Sequence, residues 1–152
     1  MVKFITDKEL KAEIAEKILY SLPEWFGLPD STNEYIKNSM EMPFWAYYFD
    51  DKPVGFIVLK ETSKSTAEIY VMGILKEYHR QGIGKALWNA FEEYAKTVGY
   101  EFAQVKTVQK GRYESYDITN SFYENLGFKE LECFPNLWDE WNPCQIYIKH
   151  IG

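Results

Sequence analysis

Two glycines at the start of a helix are the residues whose types and spacing most clearly point to chemistry. They lie in residues 79–86, HRQGIGKA, between an apolar strand and an amphipathic helix that we expect to begin near Gln81. Gly82 and Gly84 lack the side chains that would keep an anion away from backbone N–H groups. The helix would direct the positive end of its dipole at the same place. The sequence therefore predicts a cradle for the diphosphate of a cofactor.

The elements that must position this cradle follow from hydrophobic periodicity and turn residues. Strands are predicted over residues 2–6, 44–49, 54–59, 67–75, 102–108, 128–134 and 145–151. The first helix follows a cap at Thr6 or Asp7 and repeats Leu10, Ile14, Ile18 and Leu22. A second helix, capped by Asp30 or Ser31, runs to about residue 40. The cradle helix ends at Gly99, and a fourth helix covers residues 118–126.

This order of strands and helices predicts one domain over residues 1–152, of the α/β or α+β class. Strands 67–75 and 102–108 are separated by the cradle helix, so we expect them to be parallel neighbours in a mixed sheet. Short turns join the strands that precede them, which favours an antiparallel meander there. The cradle then lies at the end of the first strand of the parallel pair.

Charge and composition argue against several classes of partner. The 152 residues carry a formal net charge of −6 and no run of Lys or Arg, which gives no general attraction to nucleic acid or an anionic membrane and favours cations. No stretch reaches the roughly 18 apolar residues of a membrane span, and the N-terminus lacks the apolar core of a signal peptide. We expect a soluble cytoplasmic protein, a monomer or a homodimer, in which Cys133 and Cys144 are thiols and no metal is bound.

A second motif, SFYENLGF, lies about 40 residues after the cradle, and together the two motifs resemble the GNAT superfamily of acetyl-CoA-dependent N-acetyltransferases. Gly82 and Gly84 match the family pattern Q/R-x-x-G-x-G/A, whereas His79 stands where Gln or Arg is usual. Tyr116 and Thr119 stand where the family has an asparagine and an alanine. The resemblance implies a mixed, mostly antiparallel sheet flanked by helices, with a splayed parallel strand pair, and acetyl-CoA as cosubstrate.

The resemblance also implies how the cofactor is held. Its pyrophosphate would be bound by the backbone amides of Arg80, Gln81, Gly82, Ile83, Gly84 and Lys85. The Arg80 or Lys85 side chain can add a cation, although a solvated helix end would have the same composition. The backbone of Met72, Gly73 and Ile74 would pair with the pantetheine arm as though the arm were an added strand.

Two side chains are candidates for the catalytic chemistry that the resemblance implies. Tyr123 falls where the family carries the tyrosine that can protonate the departing sulfur, and its alternative is a core aromatic. The strand that holds Glu68 begins Ala-Glu-Ile, as does the strand that holds the general-base glutamate in the histone-acetyltransferase branch. The alternative interpretation of Glu68 is a solvent-facing strand residue. On a regular strand, Glu68 would share one face with Tyr70, Met72 and Ile74. The backbone N–H near Met72 is the expected oxyanion donor.

In this family, the acceptor is recognised largely by the connection between the first two helices and by the loop between the last two strands. The first segment offers Trp25 and Phe26 as an aromatic wall. The second offers Trp138, Asp139, Glu140 and Trp141. Aromatic rings beside carboxylates suit an organic cation, although any one of these rings could instead close the open end of the sheet.

The sequence therefore favours an N-acetyltransferase that moves an acetyl group from acetyl-CoA to a primary amine, with a small cationic molecule as acceptor. We expect direct transfer in a ternary complex, because no cysteine lies in the motif region to carry an acyl group. A protein N-terminus or lysine is the alternative acceptor. A non-catalytic acyl-CoA-binding module is the alternative of another class.

Overall fold

The computed structural model describes residues 1–139 and 141–152, and within them the strands form one mixed sheet of seven in the order β1-β2-β3-β4-β5-β7-β6. The strands are β1 (Val2–Ile5), β2 (Phe44–Phe49), β3 (Lys52–Ser63), β4 (Thr66–Ile74), β5 (Phe102–Val108), β6 (Lys129–Asp139) and β7 (Asn142–His150). The helices are α1 (Lys8–Leu19), α2 (Pro29–Ser39), α3 (Ile83–Val98) and α4 (Glu114–Asn125), with a short 3-10 turn at Lys76–Tyr78. None of the helices in these ranges is long and apolar enough to cross a membrane.

The predicted fold class is confirmed, and so is the parallel pair. β4 and β5 run parallel, whereas the other neighbouring strands of the sheet pair in the antiparallel sense. α3 begins at Ile83, two residues later than expected. It ends before Gly99, which has a left-handed φ of 108° that glycine adopts without steric strain. α4 begins at Glu114, four residues earlier than expected, because its first turn is polar and lies outside the apolar stripe.

The predicted cap of α2 is wrong, whereas that of α1 is confirmed. Asp7 accepts a hydrogen bond from the Leu10 N–H at 3.2 Å, which satisfies one of the free donors at the start of α1. α2 begins earlier than its expected caps, at Pro29, so Asp30 and Ser31 lie inside its first turn. Proline is suited to the first helical position because its ring fixes a helical φ and its missing N–H has no acceptor there.

The core is formed on both faces of the sheet. A Cβ built on Gly73 of β4 would lie 3.1 Å from the Ile18 side chain of α1, whereas a Cβ on Gly55 of β3 would lie 3.3 Å from Ile83 of α3. Gly73 is paired with Phe56, the neighbour of Gly55, and successive strand residues point to opposite faces. α1 and α3 therefore cover opposite faces, and the strands between them are buried from both sides.

A bulge in β4 reverses its faces midway. β3 pairs Val58 with Val71 and Leu59 with Ile69, so Tyr70 is an extra residue on β4. The Tyr70 ring lies 5.2 Å from the Tyr35 ring of α2, whereas the Ile74 side chain reaches Gly84 at the start of α3. The expectation that Glu68, Tyr70, Met72 and Ile74 share one face is therefore wrong.

Candidate active site

A gap opens in the sheet between the parallel strands. β4 and β5 pair from Thr66 with Phe102 to Ile69 with Val105, and that pairing ends there although both strands continue. The Leu75 N–H donates to the Val54 carbonyl at 2.9 Å, so the polar groups of Leu75 face β3. Because these directions alternate along a strand, the backbone groups of Met72 and Ile74 face the gap.

The predicted cradle lies next to the end of this gap. The first helical hydrogen bond of α3 runs from the Ala86 N–H to the Gly82 carbonyl, at 3.1 Å. The six preceding N–H groups, from Arg80 to Lys85, donate to no acceptor among residues 1–139 and 141–152. Arg80 and Gly82 are left-handed, with φ of 63° and 79°. Left-handed residues next to right-handed ones turn successive amides into a concave anion site.

The two glycines of the cradle have different roles. A Cβ built on Gly82 meets no atom of the described residues within 4 Å, so its requirement for glycine comes from its positive φ. The space above Gly82 is open to an anion. A Cβ on Gly84 would lie 3.0 Å from the Phe122 ring of α4. Gly84 is therefore needed for close packing of α3 against α4, a role that the spacing of the motif did not reveal.

Arg80 and Lys85 are both exposed beside these amides. Within the part of the chain that the structure describes, neither side chain forms an ion pair with a carboxylate. Lys85 lines a cleft of about 410 Å³ between α3 and α4, whose other walls include Trp88 and Phe122. Both cations are thus available to a negatively charged ligand at the cradle.

His79, the first position of the motif, reaches back into the gap. Its Nε2 lies 2.7 Å from the Ile74 carbonyl oxygen, and since a carbonyl accepts, this nitrogen carries the proton. The Trp25 ring lies edge-on to the imidazole at 6.0 Å between centroids. His79 thereby ties the cradle to β4 and to the connection between α1 and α2.

Tyr123 projects from α4 and is buried, with 6% of its surface exposed. Its ring packs against Phe122, Phe128 and Tyr147 at 5.5, 5.9 and 6.4 Å between centroids. The hydroxyl donates to no acceptor among the described residues. Burial raises the pKa of Tyr123, and the nearby Tyr116 and Tyr35 add to the rise. The phenol therefore keeps its proton at neutral pH, as an acid must.

A buried network, which sequence reasoning missed, holds α4 against the sheet. Asn120 is fully buried; its Nδ2 donates to the Val108 carbonyl of β5 at 2.9 Å, and its Oδ1 accepts from the Tyr147 hydroxyl of β7 at 2.6 Å. The amide thus connects α4 to two strands, one turn before Tyr123. Its position next to the family motif was the only signal in the sequence.

Glu68 is buried, so the alternative interpretation, in which it is a solvent-facing strand residue, is wrong. Its Oε1 accepts from Gln104 Nε2 at 3.1 Å and lies 3.4 Å from Lys106 Nζ. Both partners come from β5, and Glu68 is aligned with Gln104 in the parallel register. Sequence reasoning assigned no role to Gln104 or Lys106, although their alternation on β5 placed two polar side chains on one face.

The predicted acceptor wall of the first segment is ordered by contacts of its own. Trp25 is half-buried, and its Nε1 donates to Thr119 Oγ1 at 3.1 Å and to the Ser115 carbonyl at 3.2 Å. Phe26 is also half-buried and packs edge-on against Tyr35, with centroids 6.0 Å apart. Their roles toward an acceptor stay predictions.

The second predicted acceptor segment forms the tip of the β6–β7 hairpin. Asp139 Oδ1 accepts from the N–H groups of Trp141 and Asn142, both at 2.9 Å, so this carboxylate builds the turn. Trp138 has 42% of its surface exposed. Glu140 lies outside the described residues. β7 pairs antiparallel to β5, which places this tip beyond the same strand ends as the gap.

The chain is similar to known acetyltransferases. The sequence pattern of the acetyltransferase (GNAT) family matches residues 13–128. An uncharacterized N-acetyltransferase of Bacillus pumilus (strain SAFR-032) is 26% identical over 123 residues, which cover 74% of this chain and 69% of that protein.

Two solved structures show the same fold at low sequence identity. An aminoglycoside 6'-N-acetyltransferase complexed with coenzyme A superposes with a TM-score of 0.76 at 19% identity, covering 100% of this chain and 97% of that chain. The ribosomal-protein-S18-alanine N-acetyltransferase of Escherichia coli superposes with a TM-score of 0.79 at 17% identity, covering 100% and 95%. With the family pattern matched over well more than half of its length, the chain belongs to the acetyltransferase (GNAT) family.

Proposed function

We propose that the chain transfers an acetyl group from acetyl-CoA to a primary amine by direct attack in a ternary complex. The observation that carries this proposal is the run of free amides from Arg80 to Lys85 beside the gap between β4 and β5. The amides fit a pyrophosphate. Met72 and Ile74 turn their backbone groups to the gap, where they fit the pantetheine amides, whereas the backbone groups of Gly73 face β3. Binding of coenzyme A by a structural neighbour supports this assignment.

Met72 and Tyr123 would supply two of the polar groups that acetyl transfer requires. Acetyl-CoA supplies the activated acetyl group when it is bound. The Met72 N–H faces the gap and would donate to the carbonyl oxygen as negative charge develops on it. The Tyr123 hydroxyl would give its proton to the sulfur as the C–S bond breaks and the C–N bond forms. The Tyr123 hydroxyl donates to no acceptor among the described residues, which leaves its proton free for that role.

Glu68 would remove the proton that the amine must lose, either directly or through water. It lies in the half of β4 that faces α2, and its charge contributes to the raised pKa of Tyr35 after burial and Tyr70. The Glu68 carboxylate therefore lies on the side of the sheet that α2 covers.

A small organic cation is the acceptor class that we favour. The Trp25 and Phe26 rings belong to the connection between α1 and α2, and the Trp138 ring is exposed at the hairpin tip, so both segments would offer aromatic rings to a cation. One neighbour acts on aminoglycosides and the other on a ribosomal protein alanine, so the fold accommodates either class. A protein N-terminus or lysine is therefore the second candidate acceptor.

Calorimetry with acetyl-CoA, followed by thiol release with a panel of diamines, aminoglycosides and peptides, tests the proposal. We expect binding, and turnover on at least one amine. Gly82→Glu should abolish binding, because it places a negative side chain where the pyrophosphate would lie. Binding without turnover on any amine would instead identify a non-catalytic acyl-CoA-binding module.

A further inference from the structure

Trp25 contacts all three positions at which this chain departs from the family motifs, namely His79, Tyr116 and Thr119. Trp25 Nε1 donates to Thr119 Oγ1 at 3.1 Å, and the Tyr116 hydroxyl donates back to the Trp25 carbonyl at 2.8 Å. The Trp25 ring meets the His79 imidazole edge-on at 6.0 Å. The departures come from two separate motifs, so they form one local structure only in the folded chain.

These contacts cross the end of the gap. The connection between α1 and α2, residues 20–28, places Leu22 beside Ile18 of α1 against Gly73 of β4, so it lies on the α1 face of the sheet. α4 lies on the opposite face, where Phe122 packs against Gly84 of α3. The bonds from Trp25 to the first turns of α4 therefore join the two faces just beyond the ends of β4 and β5.

Other contacts hold the same connection from two further sides. Glu24 forms an ion pair with Lys76 in the 3-10 turn that precedes the cradle. The Thr32 hydroxyl of α2 donates to the Phe26 carbonyl at 3.3 Å. The hairpin tip, residues 134–139 and 141–143, shares no hydrogen bond with the connection among the described residues. The hairpin side is therefore the route that these contacts leave open.

We propose that Trp25 is a positioning residue that clamps residues 20–28 across the mouth of the gap and so restricts the acceptor to a compact amine entering beside the hairpin. The inference rests on the proposed function. An extended peptide would have to pass through the space that the clamp spans, whereas a small cation needs only the hairpin side. The indole N–H and the Tyr116 hydroxyl are the groups that keep the clamp closed.

Hydrogen exchange tests the clamp without any acceptor. The Trp25 and Phe26 N–H groups donate to the Leu22 carbonyl at 3.1 and 3.0 Å and report opening of the connection. Trp25→Phe keeps an aromatic ring but removes the indole donor, and Tyr116→Phe removes the reciprocal bond. We expect about tenfold faster exchange in residues 22–28 for either variant. Tyr113→Phe is the matched control, because the Tyr113 hydroxyl forms no hydrogen bond within the described residues and exchange should not change.

Selectivity tests what the clamp does. For Trp25→Phe, we expect the kcat/KM for a decapeptide with a free α-amine to rise at least about tenfold relative to that for a diamine. Thiol release from acetyl-CoA in water alone should rise at least about threefold, since opening admits solvent. The dissociation constant for acetyl-CoA should stay unchanged, which separates loss of the clamp from unfolding.

The proposal and the proposed function fail in different ways. Unchanged exchange in both variants would overturn the clamp, and faster exchange with unchanged selectivity and unchanged thiol release would overturn its role in acceptor choice. If the wild type binds no acetyl-CoA, the proposed function fails, while the exchange experiment still decides whether Trp25 clamps the connection.

Discussion

Single residues at the cradle show how one short motif combines two physical requirements. Gly82 is exposed and left-handed, so its backbone conformation requires glycine. Gly84 is buried and lies against Phe122, so its lack of volume is required. The motif could be located from the sequence because glycine spacing is visible there. The packing of Gly84 could not, because Phe122 approaches it only after α3 and α4 have docked.

Alanine at the two glycines should separate these requirements. We expect Gly84→Ala to lower the free energy of unfolding by about 1–3 kcal/mol through crowding against Phe122. Gly82→Ala should cost about 1 kcal/mol through backbone strain and weaken acetyl-CoA binding more than Gly84→Ala does. Urea denaturation and calorimetry measure both effects. Wild-type stability of Gly84→Ala would contradict the packing role.

Tyr123→Phe should remove the proposed acid while it preserves the aromatic packing of α4. We expect kcat to fall about 10²-fold with little change in the dissociation constant for acetyl-CoA. The Tyr123 hydroxyl donates to no acceptor of the described residues, so its removal should leave the thermal midpoint close to that of the wild type. An unchanged kcat in steady-state thiol release would remove this assignment.

Glu68→Gln tests the proposed base. The amide keeps the size of the side chain and can still pair with Gln104, but it cannot take a proton. We expect kcat/KM to fall about 10²-fold and the acid limb of its pH profile to disappear. A Gln104→Glu variant should not replace the lost base, because the neighbouring strand β5 holds its carboxylate at another position. Retention of the acid limb in Glu68→Gln would exclude the role.

The strands and helices show which elements the sequence could specify. β5 has the predicted bounds, and α3 is nearly as close, because apolar alternation and a helical stripe mark them. The bulge in β4 escaped prediction, since the residues from Ile69 to Ile74 are apolar or small on both faces and no polar alternation marks the reversal. The partners of Glu68 likewise depend on strand register, which periodicity does not give.

The Asn120 amide holds helix α4 against the sheet, and removing this amide should lower the stability of the protein. Asn120→Ala would leave the Tyr147 hydroxyl and the Val108 carbonyl buried without their partner. We expect the free energy of unfolding to fall by about 2–4 kcal/mol, measured by urea denaturation. Tyr147→Phe removes only one of these bonds and should cost less. Equal losses in the two variants would show that the Val108 bond adds nothing.

For the molecule as a whole, buried acids predict a loss of stability in alkali. Burial raises the pKa of Cys144 to about 11, and burial likewise raises the pKa of Tyr116 and that of Tyr147 to about 12. Between about pH 9 and pH 12, the unfolded chain releases protons that the native chain retains. The unfolded state then binds fewer protons, so the free energy of unfolding falls as pH rises.

Urea midpoints at pH 8, 9, 10 and 10.5 measure this fall. Cys144→Ala removes the first group to titrate and should make the early part of the fall shallower. A midpoint that is constant up to pH 10.5 would contradict the assignment of these buried acids.

The bulge at Tyr70 also bears on how the two substrates would reach each other. The first half of β4 faces α2 at Tyr70, and its second half reaches α3 at Ile74. Under the proposed function, the amine would approach from the first of these faces and acetyl-CoA from the second. The two substrates would then meet at the gap without sharing an entrance, so either could bind first.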